Sequence, residues 1–180
     1  MKHTYTRRLL VALALLLPLS LHAASRADLD ASSKRVLEKL LADVPAAAAL
    51  NAKAVGVLVF PSITKAGFMI GGQYGEGVLW QKGRPVAYYN TAGASYGLQA
   101  GAQQYGYAMF FMNRKSLDSL NATQGFEVGV GPSVVVVDQG MAKSMTSTTV
   151  TEDVYAFIFA QKGLMAGIGI QGNKITRINK

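Results

Sequence analysis

Apolar residues recur at three- and four-residue spacing near the start of the chain, then change to the shorter period of strands. Leu29, Val36, Leu37, Leu40 and Leu41 line one face of a helix predicted over 25–43. Lys34, Arg35, Glu38 and Lys39 share the rest of its surface. Val44-Pro45 ends it, because the residue before a proline is pushed out of the α region. Pro45 suits the first position of a second, short helix through 46–52, where a run of alanines favours helix. From Ala54 the period changes. Residues 55–60 read as a buried strand stopped by Pro61. Further strands are predicted at 68–72, 77–81 and 85–90, with Lys82-Gly83 as the hairpin turn between the last two. Residues 94–99 and 105–112 follow, separate or as one long bent strand. Asn113 caps a short helix over 114–120. Strands at 126–131 and 133–137 flank Pro132, and the polar stretch 138–149 reads as a loop or a frayed strand. Strands at 154–160 and 164–170 are joined by a tight turn at 161–163, and 174–178 closes the chain. The pattern predicts an α+β fold: N-terminal helices packed on a strongly curled, mostly antiparallel, Gly-rich β-sheet, barrel- or sandwich-like.

The glycines sharpen this picture. Gly67-Phe-Met-Ile-Gly71 precedes Gln73-Tyr74-Gly75, and Gly97-Leu-Gln-Ala-Gly101 precedes Gln104-Tyr105-Gly106. A third copy, Gly163 to Gly167, lacks the tyrosine. On a strand, residues four apart share a face. Paired glycines there allow sharp coiling and close backbone approach. Curvature and close packing are the favoured reading over a ligand groove. No phosphate-binding glycine loop is present. Trp80, Phe68, Phe110 and Phe111 are expected in the core.

The first residues carry the layout of a secretory signal peptide. Lys2, Arg7 and Arg8 precede an apolar run from Leu9 to Leu17, and Ala23 offers a small residue at the cut. The run is shorter than the roughly 20 residues that span a bilayer. The expected organisation is a signal peptide over 1–23, a helical segment over 24–52 and a β-rich core over 53–180, the last two forming one domain. No Cys follows the apolar run, so a lipid-anchored lipoprotein is not expected. The expected location is the periplasm or outside the cell, peripheral to an envelope membrane.

Removing the leader leaves 15 Lys and Arg against 10 Asp and Glu, a net charge of +5. That is moderate for a nucleic-acid binder. Anionic head groups or acidic envelope polymers are the expected partners. Both histidines, His3 and His22, lie in the leader, and the chain has no Cys. Histidine- and cysteine-based nucleophile systems are therefore excluded from residues 24–180, as are thiolate or imidazole zinc sites and disulfides. A catalytic reading rests on carboxylates alone, such as Glu76, Glu127 and Asp138, and no spacing joins them. No cofactor, metal or nucleic acid is expected.

At several ordered blocks the chain resembles the SYLF domain, also called the Ysc84 actin-binding domain. The blocks are Lys53 to Pro61, Lys65 to Gly72, Gly75 to Leu79, Gly97 to Gln103 and Val154 to Gly167. The resemblance spans roughly 40–180. It implies lipid binding, with phosphoinositides and in some cases actin as ligands of eukaryotic members. No SH3 domain is present here, so actin is not expected, and generic anionic phospholipid is the ligand implied for a bacterial chain.

The candidate lipid-binding residues are cations. Lys34, Arg35 and Lys39 lie on the first helix, which either packs on the sheet or lies in a membrane interface; packing is favoured. Lys53, Lys65, Lys82 and Arg84 sit beside turns and strand ends. Arg114 and Lys115 open a helix, where the dipole attracts anions. The expected function is a non-catalytic phospholipid-binding envelope protein recognising anionic head groups through these residues. The alternatives are a structural envelope protein with a protein partner, and a carboxylate-based hydrolase.

Overall fold

The structure, a computed structural model, describes residues 24–121, 125–127, 133–137, 151–163 and 173–180, apart from the side chains of 68, 69, 95–100, 161 and 163. The expected signal peptide, the polar stretch 138–149 and the strand over 164–170 lie outside the described residues.

Helix α1 spans Arg26–Asp43. The Ser25 hydroxyl accepts a bond from the Asp28 amide at 3.1 Å and caps it. Asp28 also sits where the helix dipole favours an acid. The Val44-Pro45 step ends α1 and starts α2, Pro45–Asn51. Leu29, Ser33 and Leu40 of α1 are buried. The helix is therefore packed on the sheet, as favoured from the sequence. The Trp80 indole donates to the buried Ser33 hydroxyl at 3.2 Å. The Tyr88 hydroxyl donates to the Asp30 carboxylate at 2.9 Å and accepts from the Arg26 guanidinium at 2.8 Å.

Two long strands dominate: β1, Gly56–Gln81, and β2, Arg84–Phe111. They form one antiparallel hairpin, paired from Gly56 with Phe111 to Gln81 with Arg84. Lys82 and Gly83 make its turn, with φ of 49° and 72°. The short strands expected at 55–60, 68–72 and 77–81 are thus segments of β1, and 94–99 with 105–112 form one long bent strand, one of the two forms expected, which also takes in 85–90. Pro61 does not stop β1. Phe60 pairs with Tyr107 and Ile63 with Tyr105, so Pro61 and Ser62 together face Gly106 in a bulge. A bulge asks no ladder hydrogen bond of the proline.

Straight, 26 residues of strand would run about 85 Å, far more than the width of a domain of this size. The hairpin instead doubles over. A side chain on Gly67 would collide with the Gly71 backbone. One on Gly75 would lie 2.8 Å from the Ser62 carbonyl, and one on Gly77 2.7 Å from that of Val59. The two halves of β1 therefore lie against each other. At the bend Phe68 pairs with Ala100 and Ile70 with Tyr96, so β2 carries the longer outer path. The first glycine pair thus marks curvature, as expected.

The remaining elements are α3, Arg114–Asp118, a 3-10 turn Ser119–Asn121, and strands β3, Phe126–Glu127; β4, Val134–Val137; β5, Val154–Gly163; and β6, Lys174–Ile178. The strand order is β3-β6-β2-β5-β4, with β1 beside β2. All pairings are antiparallel except β4 with β5. The strongly curled sheet with its helices is the expected α+β fold. The tight turn expected at 161–163 is instead the end of β5, which passes Tyr105 through an irregularity where Ala160 takes a φ of 53°.

Both faces of the sheet are covered at Val57 to Phe60. Leu58 and Phe60 join a core with Leu79, Tyr107, Met109 and Phe111. Val57 and Val59 join a second core with Leu29, Leu50, Trp80 and Phe110. Trp80, Phe110 and Phe111 are core residues as expected; the Phe68 side chain is not described.

Gly67→Ala is expected to cost about 1–3 kcal/mol, because the new methyl meets backbone that cannot turn away. Gly72→Ala, whose nearest neighbour is a carbonyl at 4.0 Å, is expected to leave stability within about 0.5 kcal/mol. Urea unfolding midpoints check the pair; equal costs would mean the bend is placed wrongly.

Candidate functional site

Three turns meet at the end of the sheet away from the bend. The Gln81 amide donates to the Val55 carbonyl at 3.3 Å, joining the hairpin tip to the segment after α2. The Val55 amide bonds the Phe111 carbonyl at 2.8 Å, just before α3. A side chain on Gly56 would touch Leu117 of α3 at 3.1 Å and Leu79 at 3.4 Å. These contacts gather Lys53, Lys82, Arg84, Arg114 and Lys115, all exposed. Arg114 pairs with Asp118 at 3.1 Å. Lys53, Lys82, Arg84 and Lys115 form no ion pair among the described residues. Two exposed valines lie among them, Val55 at 38% and Val86 at 45% exposure. Val86 is out of register because Leu79 pairs with Ala87 and Trp80 with Pro85. Cations without carboxylate partners keep their charge for an outside anion, and the valines supply apolar contact.

The other sequence candidates lie elsewhere. Lys34, Arg35 and Lys39 are on the exposed surface of α1. Lys34 reaches Glu38 at 3.9 Å and Lys39 reaches Asp43 at 2.7 Å. Such exposed pairs are worth under about 1 kcal/mol and leave the cations available. Lys65 departs from expectation. It lies inside β1, not beside a turn, and is only 7% exposed. The bend is the reason: it turns the face carrying Ile63 and Lys65 inward.

Lys65 stands in a polar end of the interior that the sequence reading missed. It pairs across the ladder with Gln103, itself 5% exposed. The Tyr105 hydroxyl donates to the Gln73 amide oxygen at 2.8 Å, and the Gln73 amide nitrogen donates to Asn173. One layer deeper, the Tyr107 hydroxyl donates to Thr91 at 3.1 Å. Gln103 Oε1 is buried without a hydrogen-bond partner among the described residues, and Asn173 Nδ2 has only the Tyr105 and Tyr107 hydroxyls beside it. The signal in the sequence is the alternation itself. Gln73 shares a face with Gly75, Gly77 and Leu79, and Gln103 shares one with Tyr105 and Tyr107.

Residues 92–180 match the family model described as Ysc84, Las17-binding protein actin regulator. The chain belongs to the Ysc84 (SYLF) family. No curated protein matches it. The family match covers most of β2 and everything after it. The blocks of resemblance between Lys53 and Leu79 fall outside the matched span. Of the basic end of this Ysc84 domain, Arg114 and Lys115 lie within the match, while Lys53, Lys82 and Arg84 lie before it. In the polar end, Gln103, Tyr105, Tyr107 and Asn173 lie within it, and Lys65, Gln73 and Thr91 before it.

Burial pushes the Tyr105 phenol up to about 12 and raises that of Tyr107 as well. An unfolded tyrosine ionises near 10. Between these values the folded chain holds protons that the unfolded chain has lost, so stability falls as pH rises from about 10 to 12. Below that window the contribution is fully present. Phenolate absorbance followed alongside circular dichroism checks this. The two buried phenols are expected to ionise only as the β signal is lost. Complete ionisation near pH 10 with the fold intact would refute the buried network.

Proposed function

We propose that this Ysc84-family protein is a non-catalytic, exported domain that binds the anionic phospholipid surface of a bacterial envelope membrane through the basic end of its sheet. The observation that carries the reading is the gathering of Lys53, Lys82, Arg84 and Lys115, exposed and without carboxylate partners among the described residues, around exposed Val55 and Val86. Each cation near an anionic leaflet contributes about 1 kcal/mol. Interspersed apolar side chains suit the boundary between head groups and acyl chains. No helix among the described residues is long and apolar enough to cross a membrane, which agrees with a peripheral contact. The apolar side of α1 is occupied by the sheet, so its Lys34, Arg35 and Lys39 supply further long-range attraction. The signal-peptide layout of the first residues supports export. The absence of His and Cys after residue 23 supports a binding role.

The test is co-sedimentation of the purified protein with vesicles, zwitterionic or containing phosphatidylglycerol, at low and high salt. Binding is expected to anionic vesicles and to weaken with salt. Replacing Lys53, Lys82 and Arg84 together by Glu is expected to weaken it by about 100-fold or more, from about 1 kcal/mol per cation. Unchanged binding in that variant would remove the basic end from the mechanism. Failure of the wild-type protein to bind either vesicle would sink the membrane reading. The protein-partner reading, which the family's description as Las17-binding also favours, would then take its place.

A further inference from the structure

We propose that the polar end of the interior, formed by Lys65, Gln73, Gln103 and Asn173, is a binding site for a small, singly charged anion that also carries hydroxyl groups.

Gln103 and Asn173 are 5% and 2% exposed, yet Gln103 Oε1 has no hydrogen-bond partner among the described residues, and Asn173 Nδ2 has only the Tyr105 and Tyr107 hydroxyls beside it. Buried polar atoms are nearly always paired, so an unpaired amide oxygen on the ladder partner of a buried lysine needs a cause. The chain of bonds from Tyr105 through Gln73 holds the Asn173 amide by its oxygen, which turns its nitrogen toward the Tyr105 and Tyr107 hydroxyls. Gly93 makes this layer possible. A side chain there would lie 2.5 Å from Asn173 Oδ1 and 3.0 Å from Gln73 Nε2. The strand gives up a side chain where two amides converge.

The chemistry of the ligand follows from the groups. Lys65 forms no ion pair or hydrogen bond among the described residues, and no acid is among their buried polar residues. One unpaired cation in a low-dielectric site favours one negative charge. Asn173 Nδ2, beside the Tyr105 and Tyr107 hydroxyls, carries a second proton that the anion's oxygens can accept. Gln103 Oε1 needs a donor, which an anion alone lacks and a hydroxyl provides. Water would satisfy the two amides and leave the lysine charge unanswered. The route in is next door. Gly101, two residues before Gln103, is exposed, and a side chain built there would meet nothing within 4 Å.

Two sources carry this chemistry: a free hydroxycarboxylate, and the glycerol phosphodiester head group of a lipid. Titration calorimetry of the purified protein separates them. The probes are glycerate and dihexanoyl-phosphatidylglycerol below its micelle concentration. Acetate, an anion without hydroxyls, and glycerol, hydroxyls without charge, are the controls. At least one probe is expected to saturate the protein about tenfold more tightly than either control. Glycerate alone would identify a free acid; the lipid alone would identify a head group. Lys65→Met and Gln103→Glu are each expected to weaken that binding by about tenfold or more with the circular dichroism unchanged. If neither variant folds, acetylation of Lys65 in the wild-type protein, read by mass spectrometry, is expected to slow about tenfold with probe bound. No saturation by either probe, controls that bind equally well, folded variants that bind as the wild type, or labelling unchanged by the probe would each overturn the proposal. The site does not depend on the membrane reading, whose variants at Lys53, Lys82 and Arg84 leave this interior untouched.

Discussion

The contact between Gly67 and Gly71 is the constraint on which the rest depends. A hairpin paired from end to end is too long for a domain of this size unless it folds back on itself. Folding back brings backbone against backbone, and only positions without a side chain permit that. Gly75 and Gly77 in β1 continue the close approach, and Gly106 in β2 meets the Phe60 carbonyl and the Phe159 ring. Once the hairpin is doubled, β2 offers its second edge in two sections. β5 takes Gln103–Phe111, and β6 takes Tyr88–Ala92. The later strands are thus placed by a bend made much earlier in the chain.

The bend also divides the interior by chemistry. Away from it, Leu58, Leu79, Met109 and Phe111 form an apolar floor. Tyrosine hydroxyls come next, and the amides and Lys65 stand closest to the glycines. Hydrogen bonds from Tyr105 through Gln73 to Asn173 offset part of the cost of burying polar groups there. The opposite end gathers the hairpin tip, the segment after α2 and the start of α3. Its cations come from three stretches of sequence that share no local pattern. The family match begins at Ala92, yet β1 lies before it and pairs along all of β2. The matched residues alone would leave that edge open and the polar end without Lys65 and Gln73.

Local chemistry was legible where it acts within a few residues. Ser25 caps α1, Pro45 opens α2, Asn113 caps α3 through the Ser116 amide, and Lys82-Gly83 turns the hairpin. Each of these depends on neighbours inside one turn. Pro61 misled because its cost depends on whether a partner strand can absorb an extra residue, and Gly106 lies far along the chain. The end of β5 misled likewise: Gln161-Lys162-Gly163 has the composition of a turn, but Gln103 and Gln104 were there to pair with it. Lys65 looked like a surface cation because composition cannot show which side of a strand becomes the inside.

The sequence by itself determined that two helices precede the strands, the helix caps, the Lys82-Gly83 turn, the glycine pairs that permit curvature, and the exclusion of histidine and cysteine chemistry after residue 23. These follow from residue type and short-range spacing. The tertiary structure decided that the predicted short strands merge into two and which cations stand together. It also decided that Lys65, Gln73, Gln103 and Asn173 share one interior end. Those outcomes depend on pairing between residues tens of positions apart. That pairing is set by where the backbone can fold back on itself, and a one-dimensional pattern does not carry that distance.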